Sequence, residues 1–403
     1  MVTLDIESRA LCLRAKELLS HHLFDGAIPI LKQIVDTAAS PLTMSWLIAA
    51  LIAAGRTDEA LKCATDSSES YPNAWEAQAA MGRALAALRD YKSAVQAFQA
   101  SAVLRRGLVR GPVPSCLGLH SLEQLDYLGR NVGIYPEFYY FRSQTPRDEI
   151  ETLPPDANAG TYASATSQCE AEASRALSLP LFIPTQIGIE KPLNEAVDFG
   201  RISAEFMQDD SSFVIIDDFL SLEALESLRH FCLGATVWRR SYERGYVGAF
   251  PEDGFASVLL FEIADALRHA MPGPLGGHRL AQWWALAYDQ RLSGTDVHAD
   301  DSEISVNFWI TRTEANLQRG RGGLVMWDRT VPDDWKFEDY NGNNEKVRLW
   351  LAEMGATETV IPHRANRAVM FRGHFFHRSD GTNFAPGYEN RRRNITFLFH
   401  RQC

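Results

Sequence analysis

The pattern of hydrophobic and polar residues divides the chain into a helical first part and a strand-rich last part. Up to about residue 105, alanine and leucine dominate and strand signals are absent. Farther along, short runs rich in apolar, β-branched and aromatic residues predict strands. These runs cover residues 279–288, 297–310, 368–371 and 393–400. We therefore expect an α+β multidomain protein, with an all-α part followed by a β-rich part.

A repeat runs through the helical part. Ala27, Ala60 and Ala94 recur at spacings of 33 and 34 residues, and Tyr91 and Phe98 flank the last of them. The pattern resembles three tetratricopeptide repeats, each a pair of antiparallel helices; the alternative is a generic helical bundle. The resemblance implies a groove for a peptide or partner protein. Helices that only brace the second part, or that form a homodimer contact, are the other interpretation.

Composition and charge narrow the class of protein. An apolar content of 46% in 403 residues is enough for two domains with cores. A net charge of −11 argues against a nucleic-acid partner, which would need phosphate neutralisation. The six cysteines are scattered and none forms a CxxC pair, which is typical of reduced thiols in a cytoplasm. No apolar run is long enough for a membrane span, and the first residues lack the features of a signal peptide.

The most specific chemical signal is a possible set of metal ligands. His298 and Asp300 are two positions apart, so on an extended strand both side chains point to the same face. His377 would come from another strand that folds back alongside. Two imidazoles and one carboxylate are the ligand set of non-haem iron(II) centres, and they leave coordination positions open. The sequence therefore predicts an iron site formed by His298, Asp300 and His377.

Several motifs around these residues resemble the iron(II)- and 2-oxoglutarate-dependent oxygenases, mainly their prolyl-hydroxylase-like branch. The resemblance covers about residues 210–402. It implies a double-stranded β-helix, also called a jelly roll or cupin-like fold, for the C-terminal part. The motifs are an opening strand at Phe213–Leu220, the stretch Tyr288–Asp300, the glycine pair before Leu324, the sequence His377–Ser379, and the strand Arg392–Phe397.

The resemblance also implies roles and cofactors. Arg392 would pair with the distal carboxylate of 2-oxoglutarate, and Asn394 and Tyr288 would be further co-substrate contacts. The cofactors would be Fe(II), 2-oxoglutarate and dioxygen, with ascorbate as a candidate reductant. The implied activity is a dioxygenase that hydroxylates an unactivated C–H bond, because Asp300 stands where related halogenases have a small residue. The substrate would be a peptide or protein side chain recruited by the repeats, or else a small molecule; a catalytically inactive scaffold is the alternative of another class.

Two assignments stay open from the sequence. His374 is an alternative to His377 as the distal ligand, and we prefer His377 because of the His-Arg-Ser sequence that it begins. Arg391 and Arg393 are alternatives to Arg392. Arg392 shares a strand face with Asn394 and is preferred for a polar lumen, whereas the other two are interpreted as surface charges near the strand start.

The expected domain boundaries follow from these segments. A helical repeat domain would span residues 1–108, a connector 109–205, and the oxygenase domain 206–403. Within the connector, residues 135–141 are interpreted as an aromatic anchor and residues 152–176 as a flexible surface segment. Residues 238–250 are a candidate lid, and the polar stretch 327–344 is a candidate binding loop or lid.

Overall fold

A computed structural model describes residues 6–106, 115–134, 180–186, 188–208, 213–242, 244–289, 294–381 and 383–402. The predicted aromatic anchor at 135–141 and the predicted flexible segment at 152–176 lie outside the described residues. Within the described ranges, no helix combines the length and the apolar character needed to cross a membrane.

Six helices, joined by short connections, make up the first part of the chain. The repeated alanines Ala27, Ala60 and Ala94 lie on the second, fourth and sixth helices, and all three are fully buried. Their small side chains let neighbouring helices approach closely. The third helix begins with a capping box, in which Ser40 and Thr43 each bond the other's main-chain N–H. The helix pairs follow the predicted repeat, and their assignment to the tetratricopeptide class stays a prediction.

Seven more helices follow, and most of them cover the strand-rich part, which makes thirteen α-helices among the described residues. The helices are α1 (Ile6–Ser20), α2 (Phe24–Ala38), α3 (Pro41–Ala53), α4 (Thr57–Ser70), α5 (Trp75–Ala87), α6 (Tyr91–Arg106), α7 (Ser115–Asn131), α8 (Phe199–Phe206), α9 (Leu222–Gly234), α10 (Val258–Ala270), α11 (Pro272–Leu275), α12 (Phe337–Tyr340) and α13 (Asn344–Glu353).

Ten strands form two antiparallel sheets in the second part. The large sheet has the order β1-β8-β5-β10-β4-β3-β2, and the small sheet has the order β7-β6-β9. The strands are β1 (Phe213–Ile216), β2 (Trp238–Tyr242), β3 (Tyr246–Ala249), β4 (His278–Tyr288), β5 (Ile304–Trp309), β6 (Leu324–Thr330), β7 (Glu358–Ile361), β8 (Ala368–Arg372), β9 (Phe375–Ser379) and β10 (Arg393–Arg401).

The order of these strands is that of a jelly roll. Four of them, β4-β10-β5-β8, form the centre of the large sheet, and β9 of the small sheet pairs on its free side with an isolated bridge at His298. Apolar side chains of β5 and β8 meet those of β6 and β7 between the sheets. The chain thus crosses between two facing antiparallel sheets. The predicted fold class, a helical part plus a double-stranded β-helix, is confirmed.

The alternation along β10 separates the lumen of the roll from the core behind it. Ile395, Phe397 and Phe399 belong to the main apolar core, which also contains residues of α9 and α10. Asn394 and Thr396 point to the opposite face, where they pair across from Trp309 and Asn307 of β5. This period-two pattern is the one predicted for the strand. It gives the lumen a polar wall at the level of β10.

Helix α6 is part of the core behind the jelly roll as well as of the repeats. Phe98 is fully buried and its ring packs edge-on against Trp283 of β4, with centroids 5.6 Å apart. Tyr91 stacks on Phe261 of α10 at 5.0 Å. The buried guanidinium of Arg106 donates to Thr236. The last helix of the predicted 1–108 domain therefore shares one apolar core with the jelly roll.

Three predicted segments differ from the structure. The strand expected over 297–310 begins only at Ile304, and its first residues form a loop with a single bridge. The candidate lid at 238–250 is mostly a hairpin, β2–β3, that extends the large sheet beyond β4, and its role as a lid stays a prediction. The stretch 327–344 begins as the second half of β6 and then enters helices α12 and α13, whose buried residues pack against Val297 and Phe376. Burial of this apolar face explains why the stretch is not an open loop.

Candidate active site

The structure brings together the three residues predicted as metal ligands. The donor atoms of His298, Asp300 and His377 all lie within 4.8 Å of one another. The Nε2 atom of His298 is 3.9 Å from one Asp300 carboxylate oxygen, and that of His377 is 3.7 Å from the other. Donor atoms about 2.1 Å from a shared ion lie roughly 3 to 4 Å apart. The two carboxylate–imidazole distances therefore suit a single mononuclear metal site.

Main-chain pairing explains how these residues converge. His298 and His377 exchange two main-chain hydrogen bonds, of 3.0 and 2.8 Å, and the Asp300 N–H donates to the carbonyl of Gly373 at 2.9 Å. Gly373 permits this approach, since a Cβ there would overlap the main chain of Ser302. His374, the alternative distal ligand, lies exposed in the turn after β8 and is not part of the cluster.

Hydrogen bonds fix the orientation of both imidazoles. The Nδ1 atom of His298 is 2.7 Å from the carbonyl of Asp296, and that of His377 is 3.0 Å from the carbonyl of Phe375. An Nδ1–H that donates to a carbonyl leaves the Nε2 lone pair free for a metal. Burial, which outweighs the opposing charge of Asp300, lowers the pKa of His377 to about 4. Its imidazole is therefore neutral at pH 7 and ready to act as a ligand.

The carboxylate of Asp300 is also held. Its Oδ2 atom accepts a 2.6 Å hydrogen bond from the hydroxyl of Ser305 on β5. The sequence alone identified none of the groups that orient the ligands. Two of them are main-chain carbonyls, which leave no signal in the side-chain pattern, and Ser305 is one of several serines in the region. The sequence gives a partial signal for Ser305 only. It lies two residues before Asn307 and therefore shares with it the lumen face of a predicted strand.

Arg392 lies in the same lumen and is 1% exposed. Its Nε donates to the carbonyl of Gly322 at 2.8 Å and its Nη2 to that of Gly323 at 3.0 Å. These bonds occupy the side edge of the guanidinium and leave the edge between Nη1 and Nη2 for an anion. Gly322 has a φ of +82°, and a Cβ on Gly323 would overlap the carbonyl oxygen of Ile361. Glycine is thus required at both positions of the arginine's support.

The other two predicted co-substrate contacts surround this arginine. The Tyr288 ring lies 4.2 Å from the Arg392 Cζ atom, and its hydroxyl accepts from Ser379 at 2.9 Å. Asn394 is buried beside the guanidinium, with its Oδ1 3.5 Å from Nη1. Ser379 follows His377 by two residues on β9, so the arginine pocket and the metal ligands share one wall. The assignment of these residues to a co-substrate stays a prediction.

Arg391 and Arg393 are not surface charges, as the sequence suggested, but buried structural groups. Arg391 donates to Glu123 of α7 at 2.6 Å and has Asp289 at 3.8 Å. Arg393 donates to the carbonyl of Tyr388 at 2.8 Å, and its guanidinium lies 4.5 Å from the ring of that residue. Helix α7 comes from the predicted connector, so the pattern along β10 alone gave no sign of its carboxylate.

Three lumen side chains near Arg392 carry polar atoms without a hydrogen-bond partner among the described residues. They are Trp309 through Nε1, Asn307 through Oδ1, and His363 through both ring nitrogens. The Trp309 ring centroid is 5.9 Å from the Arg392 Cζ atom and 5.9 Å from the His363 ring centroid. Burial, followed by the charge of Arg392, lowers the pKa of His363 to about 3, so this ring is neutral. Unsatisfied buried polar groups are costly, and a bound polar molecule would satisfy them.

No family model and no curated protein matches this chain. The similar solved structures include the non-haem α-ketoglutarate-dependent carbocyclase SnoK from nogalamycin biosynthesis, with 14% identity and a TM-score of 0.39 over 50% of this chain and 83% of that one. A prolyl-4-hydroxylase from Pseudomonas putida shares 16% identity, with a TM-score of 0.33 over 51% of this chain and 100% of that one. EctD from S. alaskensis shares 15% identity, with a TM-score of 0.33 over 55% and 82%.

The jelly roll and the His-Asp-His cluster are the features that the sequence resemblance predicted. Both are present among the described residues: His377 lies on β9, His298 is at the bridge that pairs with it, and Asp300 lies two residues after His298.

Proposed function

We propose that the chain is an Fe(II)- and 2-oxoglutarate-dependent dioxygenase that hydroxylates an unactivated C–H bond. The observation that carries the proposal is the union of two sites in one lumen. A cluster of two imidazoles and one carboxylate lies on the same wall as a buried arginine whose Nη1–Nη2 edge has, among the described residues, only a long 3.5 Å hydrogen bond from Nη1 to Asn394. A three-ligand cluster by itself would suit several metals, and a buried arginine by itself would suit many anions. The two together fit a metal and a dicarboxylate bound side by side.

The residues fit the implied groups on chemical grounds. His298, Asp300 and His377 would hold iron(II), which when bound supplies the activation of dioxygen coupled to decarboxylation of the keto acid. Arg392 would hold the distal carboxylate through its Nη1–Nη2 edge. His363 and Trp309, whose ring nitrogens lack partners among the described residues, would donate to the same carboxylate. The apolar side chains between the sheets exclude water from this region.

The experiment that tests the proposal compares neighbouring histidines. His377→Ala should abolish binding of iron(II) and succinate formation, because one of three ligands is lost. His374→Ala is the matched control, since this histidine is exposed three residues earlier and lies outside the cluster. Metal binding is measured by titration of the metal-free chain, and turnover by succinate release. The proposal is wrong if His377→Ala keeps both properties, or if His374→Ala loses them.

The substrate class has two candidates. A peptide or protein side chain recruited by the helical repeats is the first, supported by the repeat pattern of buried alanines in α2, α4 and α6. The second is a small molecule. It is supported by the integration of α6 into the core behind the jelly roll, which gives that helix pair a structural role. Mass spectrometry of peptide and metabolite pools for a 2-oxoglutarate-dependent gain of one oxygen atom separates the two.

Half-buried aromatic side chains favour a substrate with a flat or apolar surface in either case. Tyr242 and Tyr246 stack with centroids 4.4 Å apart, and Tyr246 stacks in turn on Tyr288 at 5.4 Å. Phe250 lies 6.1 Å from Trp284 on the same side of the large sheet. These rings extend the lumen wall from the arginine pocket onto the β2–β3 hairpin. A substrate near the metal would contact them through its apolar face.

A further inference from the structure

The segment from Asp296 to Asp301 carries two of the three candidate ligands but belongs to no strand. Its main chain is fixed by the bridge at His298 and by the bond from the Asp300 N–H to Gly373. Loops with so few main-chain bonds are less rigid than strands, whereas metal ligands must be held closely in place. Within the roll, Val297 and Ala299 are buried and Ser305 donates to Asp300. Further side chains reach the segment from outside the roll.

Asp296 receives two of these contacts, both from arginines. Its carboxylate is bound by Arg244 through one oxygen, and by Arg348 through the other at 2.7 Å. Its side chain is 11% exposed. The carbonyl of the same residue accepts the Nδ1–H of His298 at 2.7 Å. Asp296 therefore links two arginines to the imidazole of His298. Its carboxylate binds their guanidinium groups, and its carbonyl orients the imidazole.

The two arginines come from elements that are far apart in the chain. Arg244 lies in the turn between β2 and β3, at the far edge of the large sheet, and Arg348 lies on α13 in the insertion after β6. The same segment receives two further contacts from outside the roll. Asn341 donates to the carbonyl of Ala299 at 3.3 Å, and the ring of His22, between α1 and α2, lies 3.1 Å from Asp301.

We propose that Asp296 is a positioning residue of the metal centre. Its carboxylate, held between Arg244 and Arg348, fixes the carbonyl that orients His298, so the hairpin and the insertion together set the metal affinity. The inference rests on the proposed function only in taking His298 as a metal ligand. Residues that orient metal-bound imidazoles change metal affinity by about 10- to 100-fold when they are replaced.

The test measures Co(II) binding to the full-length, metal-free chain by the d–d absorption of the bound ion. Asp296→Asn keeps the size of the side chain but offers only one acceptor oxygen to two arginines. We expect its Co(II) dissociation constant to rise about 10- to 100-fold. Arg244→Met and Arg348→Met should each weaken binding, and adding either to Asp296→Asn should have little further effect, because the residues act as one unit.

The chain offers a matched control. Asp217, at the end of β1, is also held by two arginines, with Arg367 at 2.6 Å and Arg364 at 3.1 Å. Asp217→Asn removes a comparable pair of ion pairs away from the metal segment and should leave Co(II) affinity unchanged. Equal losses in Asp217→Asn and Asp296→Asn would overturn the proposal, because they would reflect general destabilisation. Unchanged affinity in Asp296→Asn would overturn it as well.

The failure of this inference is distinguishable from failure of the proposed function. If the wild-type chain and His298→Ala show the same absorption with Co(II), there is no metal site at His298 and the proposed function fails. If the wild-type chain binds Co(II) at that site and Asp296→Asn binds it as tightly, only the positioning role fails. In the Asp296→Asn chain loaded at saturating Co(II), the affinity for 2-oxoglutarate should equal that of the wild type, because the arginine pocket is untouched.

Discussion

Replacing Phe98 by alanine tests whether the repeats and the jelly roll fold as one unit. The phenyl ring is fully buried, contacts Trp283 edge-on and lies so close to α5 that a Cβ on Gly82 would be 2.9 Å from it. Deletion of a buried phenylalanine costs about 3–5 kcal/mol in free energy of unfolding. Because the main chain of α5 already touches the ring, the cavity has little room to collapse. We therefore expect about 4 kcal/mol.

The assay is urea unfolding followed by circular dichroism, which reports on helices, and by tryptophan fluorescence, which reports on the jelly roll as well. Phe98→Ala should shift both signals together to lower urea. Val103→Ala is the control on the same helix, because Val103 is 51% exposed and its loss should change stability by less than about 0.5 kcal/mol.

Two outcomes would refute the shared core. One is a biphasic transition in which the variant shifts the helical signal and leaves the fluorescence signal at its wild-type midpoint. The other is a loss of stability below about 1 kcal/mol, which is too small for a ring buried on all sides. The result also bears on truncation, since removing residues 1–105 deletes Phe98 from the core behind the jelly roll. If such a truncation loses activity, unfolding explains the loss, and the loss gives no evidence that the repeats recruit substrate.

Two further predictions concern the arginine pocket. His363→Phe should weaken 2-oxoglutarate binding about 10-fold, as measured by isothermal titration. The melting temperature should stay the same or rise, because the change removes unpaired buried nitrogens. A lower melting temperature with unchanged binding would assign His363 to the core alone. Gly323→Ala should raise the 2-oxoglutarate KM by at least about 10-fold, because its Cβ overlaps the Ile361 carbonyl and displaces a support of Arg392. Gly277→Ala, which meets no atom within 4 Å, is the control, and equal KM values in the two variants would contradict the role of the glycine support.

Much of the jelly roll could be predicted because its strands carry their own periodicity. β4 ends in a continuous apolar run and β10 alternates apolar and polar positions over much of its length, so both strands and the lumen face of β10 could be predicted from the sequence. The same alternation favoured Arg392, which the structure places in the lumen. Local spacing predicts only part of the ligand cluster, since His298 and Asp300 are two residues apart whereas His377 lies on another strand. The choice of His377 depended on the family resemblance of the His-Arg-Ser sequence that it begins.

What failed depended on contacts between distant segments. Arg391 and Arg393 were interpreted as surface charges because the strand gives no sign of Glu123, which lies 268 residues from Arg391 in sequence. The polar stretch 327–344 is interpreted as a binding loop or lid because of its length, and its few dispersed apolar residues give no sign of the strand and helices that it forms. In the folded chain these apolar residues pack together against Phe376 and Val297 and are buried there. Tertiary burial of this kind overrides local polarity and leaves no periodic signal.

The way in which Gly322 and Gly323 hold Arg392 has a consequence for the stability of the protein. Within the described residues, no carboxylate lies at ion-pair distance from this guanidinium, whose bonds go to two carbonyls and to Asn394. A buried cation with only neutral partners is destabilising, and an anion that binds it relieves that cost. Under the function proposed above, occupation of the pocket by a dicarboxylate would therefore raise the stability of the fold. The protein would then be most stable where 2-oxoglutarate is plentiful, and its lifetime would depend on the supply of its own co-substrate.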